Sequence, residues 1–333
     1  MRTSVSLLLI AAVLALSDGF AQAQQPAKIP RIGILGLAYP SSPFLESFRQ
    51  GVRELGYVEG QNIILETRPS RADDRRHDDI ATELVRLQVN VIVALSTGAT
   101  YAAMRATKTI PIVMTYPGNP VASGVVANLE RPGGNVTGVI GLAPGLGGKM
   151  LELVKETIPG ARRVAVFWNS GSENTRIENT RIWKGMEAAA RSLRVELQPV
   201  EAPPRGDLTA AFRSANSWQA DAFIVLPGIV PGIVVSPNLR EIATIALKSR
   251  LPGISWRADF AEAGGLIAYG GNRLEQSRRA AYFVDKILRG AKPAELPVEL
   301  SRTFELIINL KTAEEIGITI PPRVLAWADR VIR

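Results

Sequence analysis

The residues able to do chemistry in this chain cluster where apolar runs end. Ser96, Thr97 and Gly98 follow directly on Val91-Ile92-Val93-Ala94-Leu95 and open a helical pattern. Two hydroxyls and the unpaired amides of a helix start can hold a carboxylate, aided by a helix-end field of about 0.3–1 kcal/mol. Ser96 or Thr97 can equally be a plain N-cap, and one residue can do both. Tyr116 and Asn119 follow the run Ile110 to Thr115 and offer a ring, a hydroxyl and an amide. Leu37 lies in the turn Gly36-Leu37-Ala38-Tyr39, where glycine lets the backbone approach a ligand closely. Further on, Asn169 and Ser170 follow Trp168, Pro227 follows Leu226, and Trp256 follows Ser255. Trp168, within its own apolar run, reads as core.

Catalytic templates fail when tested residue by residue. Gly147-Gly148-Lys149-Met150 lacks the hydroxyl that a phosphate-binding loop needs for magnesium, and Ala143 stands where its first glycine belongs. Gly253-Ile254-Ser255-Trp256-Arg257 approaches a nucleophile elbow, but Arg257 replaces the closing glycine. Asp73/Asp74 and Glu314/Glu315 are adjacent carboxylates and read as surface charge. The chain has no cysteine and a single histidine, His77. That excludes disulfides, a thiolate nucleophile, a cysteine-rich zinc site and a multi-histidine metal centre, and any Ser-His-Asp mechanism would have to run through His77. No catalytic residue, metal site or cofactor is expected.

These positions need a scaffold, and the pattern supplies one. From Arg31 onward, short apolar runs alternate with helical periodicity, the βαβ rhythm of parallel sheets covered on both faces. Strands are expected at Arg31–Leu35, Asn62–Thr67, Val91–Leu95, Ile110–Thr115 and Val136–Ile140. After the Gly/Pro-rich stretch Gly141 to Gly148 a second series begins, with strands at Arg163–Trp168, Glu196–Val200, Ala222–Leu226 and Gly253–Ser255. Two such series suggest two similar lobes. Gly264–Tyr269, the helix Leu274–Leu288 and Phe304–Leu310 could complete either sheet. In open parallel sheets ligands sit beyond the carboxyl ends of the strands, where the candidate residues fall. Two tandem duplications, Glu173–Ile177 with Glu178–Ile182 and Pro227–Val230 with Pro231–Val234, read as loops or helix starts beyond second-lobe strands.

The amino terminus suggests export. Arg2, the apolar run Val5 to Leu16 and Ala21-Gln22-Ala23 have the layout of a secretory signal peptide cleaved after Ala23. With no cysteine for acylation, a lipid anchor is not expected. The 333 residues carry 39 Lys+Arg against 31 Asp+Glu, a net charge of +8. The charges are scattered, and the one dense patch, Arg68, Arg71, Arg75 and Arg76, is interrupted by Asp73, Asp74, Asp78 and Asp79. A solvated basic surface is expected rather than a nucleic-acid stripe.

The chain also resembles a known family, the bacterial ABC-transporter substrate-binding proteins that include tryptophan- and tyrosine-binding members. The resemblance rests on Phe48-Arg49-Gln50-Gly51-Val52-Arg53-Glu54-Leu55-Gly56-Tyr57-Val58-Glu59-Gly60, Thr109-Ile110-Pro111-Ile112-Val113 and Arg131-Pro132-Gly133-Gly134-Asn135-Val136-Thr137-Gly138. Later stretches are Gly264-Gly265-Leu266, Asp285-Lys286-Ile287-Leu288-Arg289-Gly290-Ala291-Lys292-Pro293 and Ile308-Asn309-Leu310-Lys311-Thr312-Ala313. It implies an α/β fold of two Rossmann-like lobes with parallel sheets, the type I periplasmic-binding (Venus flytrap) architecture. The implied lobes are residues 30–140 plus 258–290 and residues 141–257 plus 291–333. It further implies a monomeric binder in the periplasm that delivers a small-molecule ligand to an ABC permease of the inner membrane, with no nucleic-acid partner. The first-lobe contacts would be Leu37, Ser96, Thr97 and Tyr116, and the second-lobe contacts Asn169, Ser170 and the loop after Leu226. A ligand sensor docking on a membrane receptor has the same fold, and an exported hydrolase is a further alternative. Members commonly carry a Gly-Thr-Pro-like run where this chain has Ser96-Thr97-Gly98, and Asp-Pro where it has Asn119-Pro120. Losing that acid removes a partner for a ligand ammonium, so ligand identity does not carry over. A carboxylate is expected from Ser96 and Thr97.

Overall fold

The computed structural model describes residues 29–36, 42–69, 76–115, 118–121, 123–141, 145–169, 173–202, 207–226 and 237–333. The first series runs β1 (Arg31–Leu35), α1 (Pro43–Glu54), β2 (Ile64–Thr67), α2 (Arg76–Arg86), β3 (Val91–Ala94), α3 (Thr97–Ala106), β4 (Ile112–Thr115) and β5 (Val136–Ile140). The second runs α4 (Leu146–Thr157), β6 (Arg163–Trp168), α5 (Glu173–Leu193), β7 (Glu196–Glu201), α6 (Leu208–Ser217), β8 (Ala222–Val225), α7 (Pro237–Lys248) and β9 (Gly253–Ser255). It continues through α8 (Ala258–Glu262) and β10 (Ile267–Gly271). Then follow α9 (Arg273–Leu288), β11 (Glu299–Leu300), β12 (Phe304–Asn309), α10 (Leu310–Ile316), α11 (Pro322–Trp327) and β13 (Arg330–Ile332).

Two sheets result, in the orders β11-β5-β4-β3-β1-β2 and β13-β12-β10-β9-β8-β6-β7. All pairings are parallel except β10 with β12. Alternation along each strand explains why both faces are apolar. Ile32, Ile34, Val91, Val93 and Val113 meet α1 and α9 through Phe48, Val52, Ala280 and Val284, while Leu35, Ile92, Ala94, Ile112 and Met114 meet α2 and α3 through Ile80, Leu84, Ala99 and Ala103. In the second sheet Val164, Val166 and Ile224 pack on α4 and α5, and Ala165, Phe167, Phe223 and Val225 pack on α6, α7 and α8.

Sheet pairing moves two of the expected boundaries. α8 and β10 were expected with the first lobe, but β10 pairs with β9 and β12 of the second sheet. Residues from Glu299 to Leu300 were expected with the second lobe, but β11 pairs with β5 of the first. An apolar run suits either sheet, and only the pairing partner, remote in sequence, selects one. The first tandem duplication, Glu173 to Ile182, forms the start of helix α5, one of the two placements expected for it; the second lies outside the described residues, as do the expected signal peptide and Arg71 and Arg75 of the dense basic patch. Arg68 of that patch pairs with Glu83 at 2.7 Å on an exposed face.

Candidate ligand site between the two sheets

Three chain crossings join the two sheets, and each leaves one carboxyl edge and enters at the other. β5 ends at Ile140 and leads through Gly141 to α4. β10 ends at Gly271 and leads through Asn272 to α9. β11, parallel to β5, ends at Leu300 and leads to Phe304, which starts β12 opposite Gly271. Hydrogen bonds tie the crossings together: Ser301 N donates to Ile140 O at 2.7 Å and Asn272 N to Thr303 O at 2.9 Å. The carboxyl edges therefore share one crevice, where helix starts and strand ends converge.

On the first edge, β3 delivers Ser96 to the start of α3. Its backbone is extended (φ −158°, ψ 166°), its Oγ accepts from Ala99 N at 3.1 Å, and its carbonyl accepts from Thr100 N at 2.9 Å. Ser96 is thus an N-cap, and the positive end of α3 opens toward the crevice with no acidic residue in its first turn. Thr97 is the first helical residue, partly exposed at that end. Asn119 is placed by a turn in which its carbonyl accepts from Ser123 N at 3.1 Å and Ser123 Oγ at 2.7 Å. Leu37, Tyr116, Ser170 and Pro227 lie outside the described residues.

On the second edge, register aligns a row that sequence reasoning had not assembled. Phe167 pairs with Val225, Val225 with Ser255, and Ser255 with Ala268. The next residues, Trp168, Leu226, Trp256 and Tyr269, therefore stand level on four neighbouring strands. They share one face, because all pack on the same core cluster. Trp168 is half-buried at the edge, not within the core where its sequence placed it. Tyr269 stacks on Phe304 with ring centroids 5.7 Å apart, and burial pushes its hydroxyl pKa up, with Lys149 pulling the other way. Asn169 is buried just beyond Trp168, and its carbonyl accepts from Asn179 Nδ2 at 3.2 Å. Asn179 belongs to the second copy of the duplicated segment.

The same edge holds an ion pair that the sequence did not announce. Arg257 caps α8 and is 1 % exposed, and its guanidinium forks Asp259, with Nε to Oδ1 at 2.8 Å. Burial pushes the Asp259 carboxyl up, but the hydrogen bonds and charge of Arg257, with the charge of Arg273 behind them, outweigh it and hold the group below its ordinary value. Arg257 also lies over the Trp256 ring at 5.9 Å. Among the described residues no cluster of side chains is suited to hold a metal ion.

Two α/β sheets whose carboxyl edges enclose one crevice define a two-lobed binding protein of the periplasmic-binding fold. Residues 43–332 match the family model described as ABC transporter substrate binding protein, and the chain belongs to that family. It is accordingly a binding protein and not an enzyme. It is 27 % identical to the tyrosine-binding protein of Clostridioides difficile (strain R20291) over 80 % of this chain and 74 % of that one. A solved ABC domain from Streptococcus pneumonia in complex with L-Trp superposes with a TM-score of 0.79 at 25 % identity, covering 91 % of this chain and 99 % of the other. A conserved domain protein from Vibrio cholerae gives 0.78 at 26 % identity, covering 91 % and 100 %.

Proposed function

We propose that this chain is an exported solute-binding protein that closes two lobes on a small carboxylate-bearing ligand and hands it to an ABC permease of the inner membrane. The lobes are the units built on the two sheets, and the three crossings form the hinge. The carboxylate is held at the start of α3 by Ser96, Thr97 and the first-turn amides, with Leu37, Tyr116 and Asn119 completing that side. Asn169, Ser170, Pro227 and Trp256 contact the ligand from the second lobe. Closure follows because only a ligand touching both edges gains from bringing them together.

The observation that carries this reading is the level row Trp168, Leu226, Trp256 and Tyr269 on the edge that shares a crevice with the capped start of α3. An apolar, aromatic shelf set against an anion-favouring helix end suits a molecule with a carboxylate and an apolar body, and relatives bind tyrosine or L-Trp. The export half of the reading draws on the amino-terminal layout; no described helix is long and apolar enough to cross a membrane.

Mass spectrometry of the molecule that co-purifies, followed by calorimetry with tyrosine, tryptophan, aliphatic amino acids and aromatic carboxylates, tests the ligand class. Binding of at least one carboxylate with the stoichiometry of one per chain is expected. Failure of every amino acid and carboxylate to bind would overturn it.

A further inference from the structure

Gln276, in the first turn of α9, is fully buried, and neither its Oε1 nor its Nε2 bonds to any protein group. A carboxamide buried in that way is held at a substantial cost, so its surroundings need a reason. The amide rests against two of the three crossings. A β-carbon built on Gly141 would stand 2.7 Å from Nε2, and one built on Gly271 2.6 Å from it. The latter would also stand 2.9 Å from Gly141 O, so the two crossings touch back to back. Glycine at both places is what lets the amide lie there.

The base of the side chain is fixed elsewhere. α9 packs along α1 and against β4 and β5, all in the first-sheet unit. Gln276 is therefore anchored in one lobe while its tip sits on the strands about which the other would turn. Thr115 supplies a second unsatisfied group at the same edge: it is buried, its Oγ1 has no partner, and by alternation it shares the face of β4 on which Val113 meets the α9 side chains.

We propose that the Gln276 carboxamide is a hinge latch. In the lobe arrangement of this structure it is unpaired; rotation about the crossings brings main-chain groups beside Gly141 or Gly271 into hydrogen bonds with it. The side chain thus biases the ligand-free protein away from the present arrangement and sets the ratio of the two. This rests on the two-lobed clamp proposed above, and its test needs no ligand.

A chain without cysteine takes paired spin labels cleanly. Cysteines at the exposed Arg86, near the end of α2, and Ser217, near the end of α6, place one label in each lobe. Double electron–electron resonance on the ligand-free protein is expected to show two distance populations. Gln276→Met keeps length without polar atoms and is expected to raise the share matching this structure about fivefold or more. Gly141→Ala crowds the amide and is expected to move the ratio the other way. Two populations unmoved by Gln276→Met, or moved in the opposite direction, sink the latch and leave the clamp standing. One population common to all variants likewise sinks the latch and leaves the clamp standing, because closure of the clamp is driven by ligand. Thermal melts establish that each variant is folded; should Gly141→Ala fail to fold, Gln276→Met decides alone.

Discussion

Arg257, the N-cap of α8, and Asp259, in the first turn of that helix, form a forked ion pair at the carboxyl edge of the second sheet, with Nε 2.8 Å from Oδ1 and the guanidinium 1 % exposed. A cation so deeply placed beside the crevice would dominate its field if unmatched. Matched by Asp259, it fixes the turn that carries Trp256 and leaves the apolar row beside it without a stray charge.

Removing the carboxylate withdraws the charge that matches the buried guanidinium. Asp259→Asn is expected to cost about 3 kcal/mol in urea unfolding at neutral pH. The pH dependence has a definite sign. The folded carboxyl titrates below its unfolded value of about 3.9, so its contribution is full above that value and is lost as pH falls through the folded one. The gap between wild type and Asp259→Asn should therefore narrow on acidification below about pH 4. Stability curves that stay parallel down to the acid limit would show that the pair carries no such linkage.

Ser96 and Thr97 separate capping from binding. Ser96→Ala removes the bond to Ala99 N and should cost about 1 kcal/mol of stability together with affinity. Thr97→Ala leaves that bond in place. Asn169→Ala keeps the main-chain carbonyl that receives Asn179. Both are expected to weaken ligand binding about tenfold in calorimetry with the melting temperature nearly unchanged, an effect the size of one good hydrogen bond to a charged group. Equal losses of stability and affinity would make these residues scaffold only.

Much of the scaffold was legible because its signals are local. β1, β5, β6 and β9 match their expected bounds residue for residue, since each is closed, at or just past its last residue, by a turn-favouring residue, Gly36, Gly141, Asn169 or Ser255. α8 and α11 were missed: five or six residues are too few to show helical periodicity. β11 and β13 exist only through pairing with β5 and β12. The site divides in the same way. Ser96 was visible as a hydroxyl at the end of an apolar run, and its cap geometry followed. The aromatic row was not, because it depends on register across strands as distant as Phe167 and Ala268. Nor was the burial of Arg257, which Asp259 makes tolerable. An Arg-x-Asp just after a strand is the one signal that could have marked it.

The attachment of α9 to the first lobe has a single-residue test. Gly51 lies where α1 and α9 cross, and a β-carbon there would overlap the Arg278 carbonyl and stand 2.8 Å from Ala281 Cβ. Gly51→Ala is expected to destabilise by about 2–3 kcal/mol, because two backbones must separate to admit one methyl group. Gly148→Ala meets only Ala189 Cβ, at 3.5 Å, and the main-chain oxygen of Gly185, at 3.7 Å, both ordinary contact distances, so it should be tolerated. Equal melting temperatures for the two variants would refute the close crossing.

The tryptophans distinguish the proposed shelf from bystanders. Trp168 and Trp256 stand level on one face at the crevice edge, whereas Trp327 is 51 % exposed on α11, beneath Lys149. If the shelf takes the apolar body of the ligand, Trp256→Leu should reduce affinity for an aromatic amino acid by tenfold or more, the loss expected when an aromatic contact of about 1.5 kcal/mol is withdrawn. Trp327→Leu should leave affinity as it was. Ligand-induced change in tryptophan emission should follow the same division, disappearing largely with Trp256 and persisting without Trp327. A ligand that contacts only the first lobe would leave emission and affinity indifferent to Trp256, and closure would then lose its driving force, because the second edge would gain nothing from approaching.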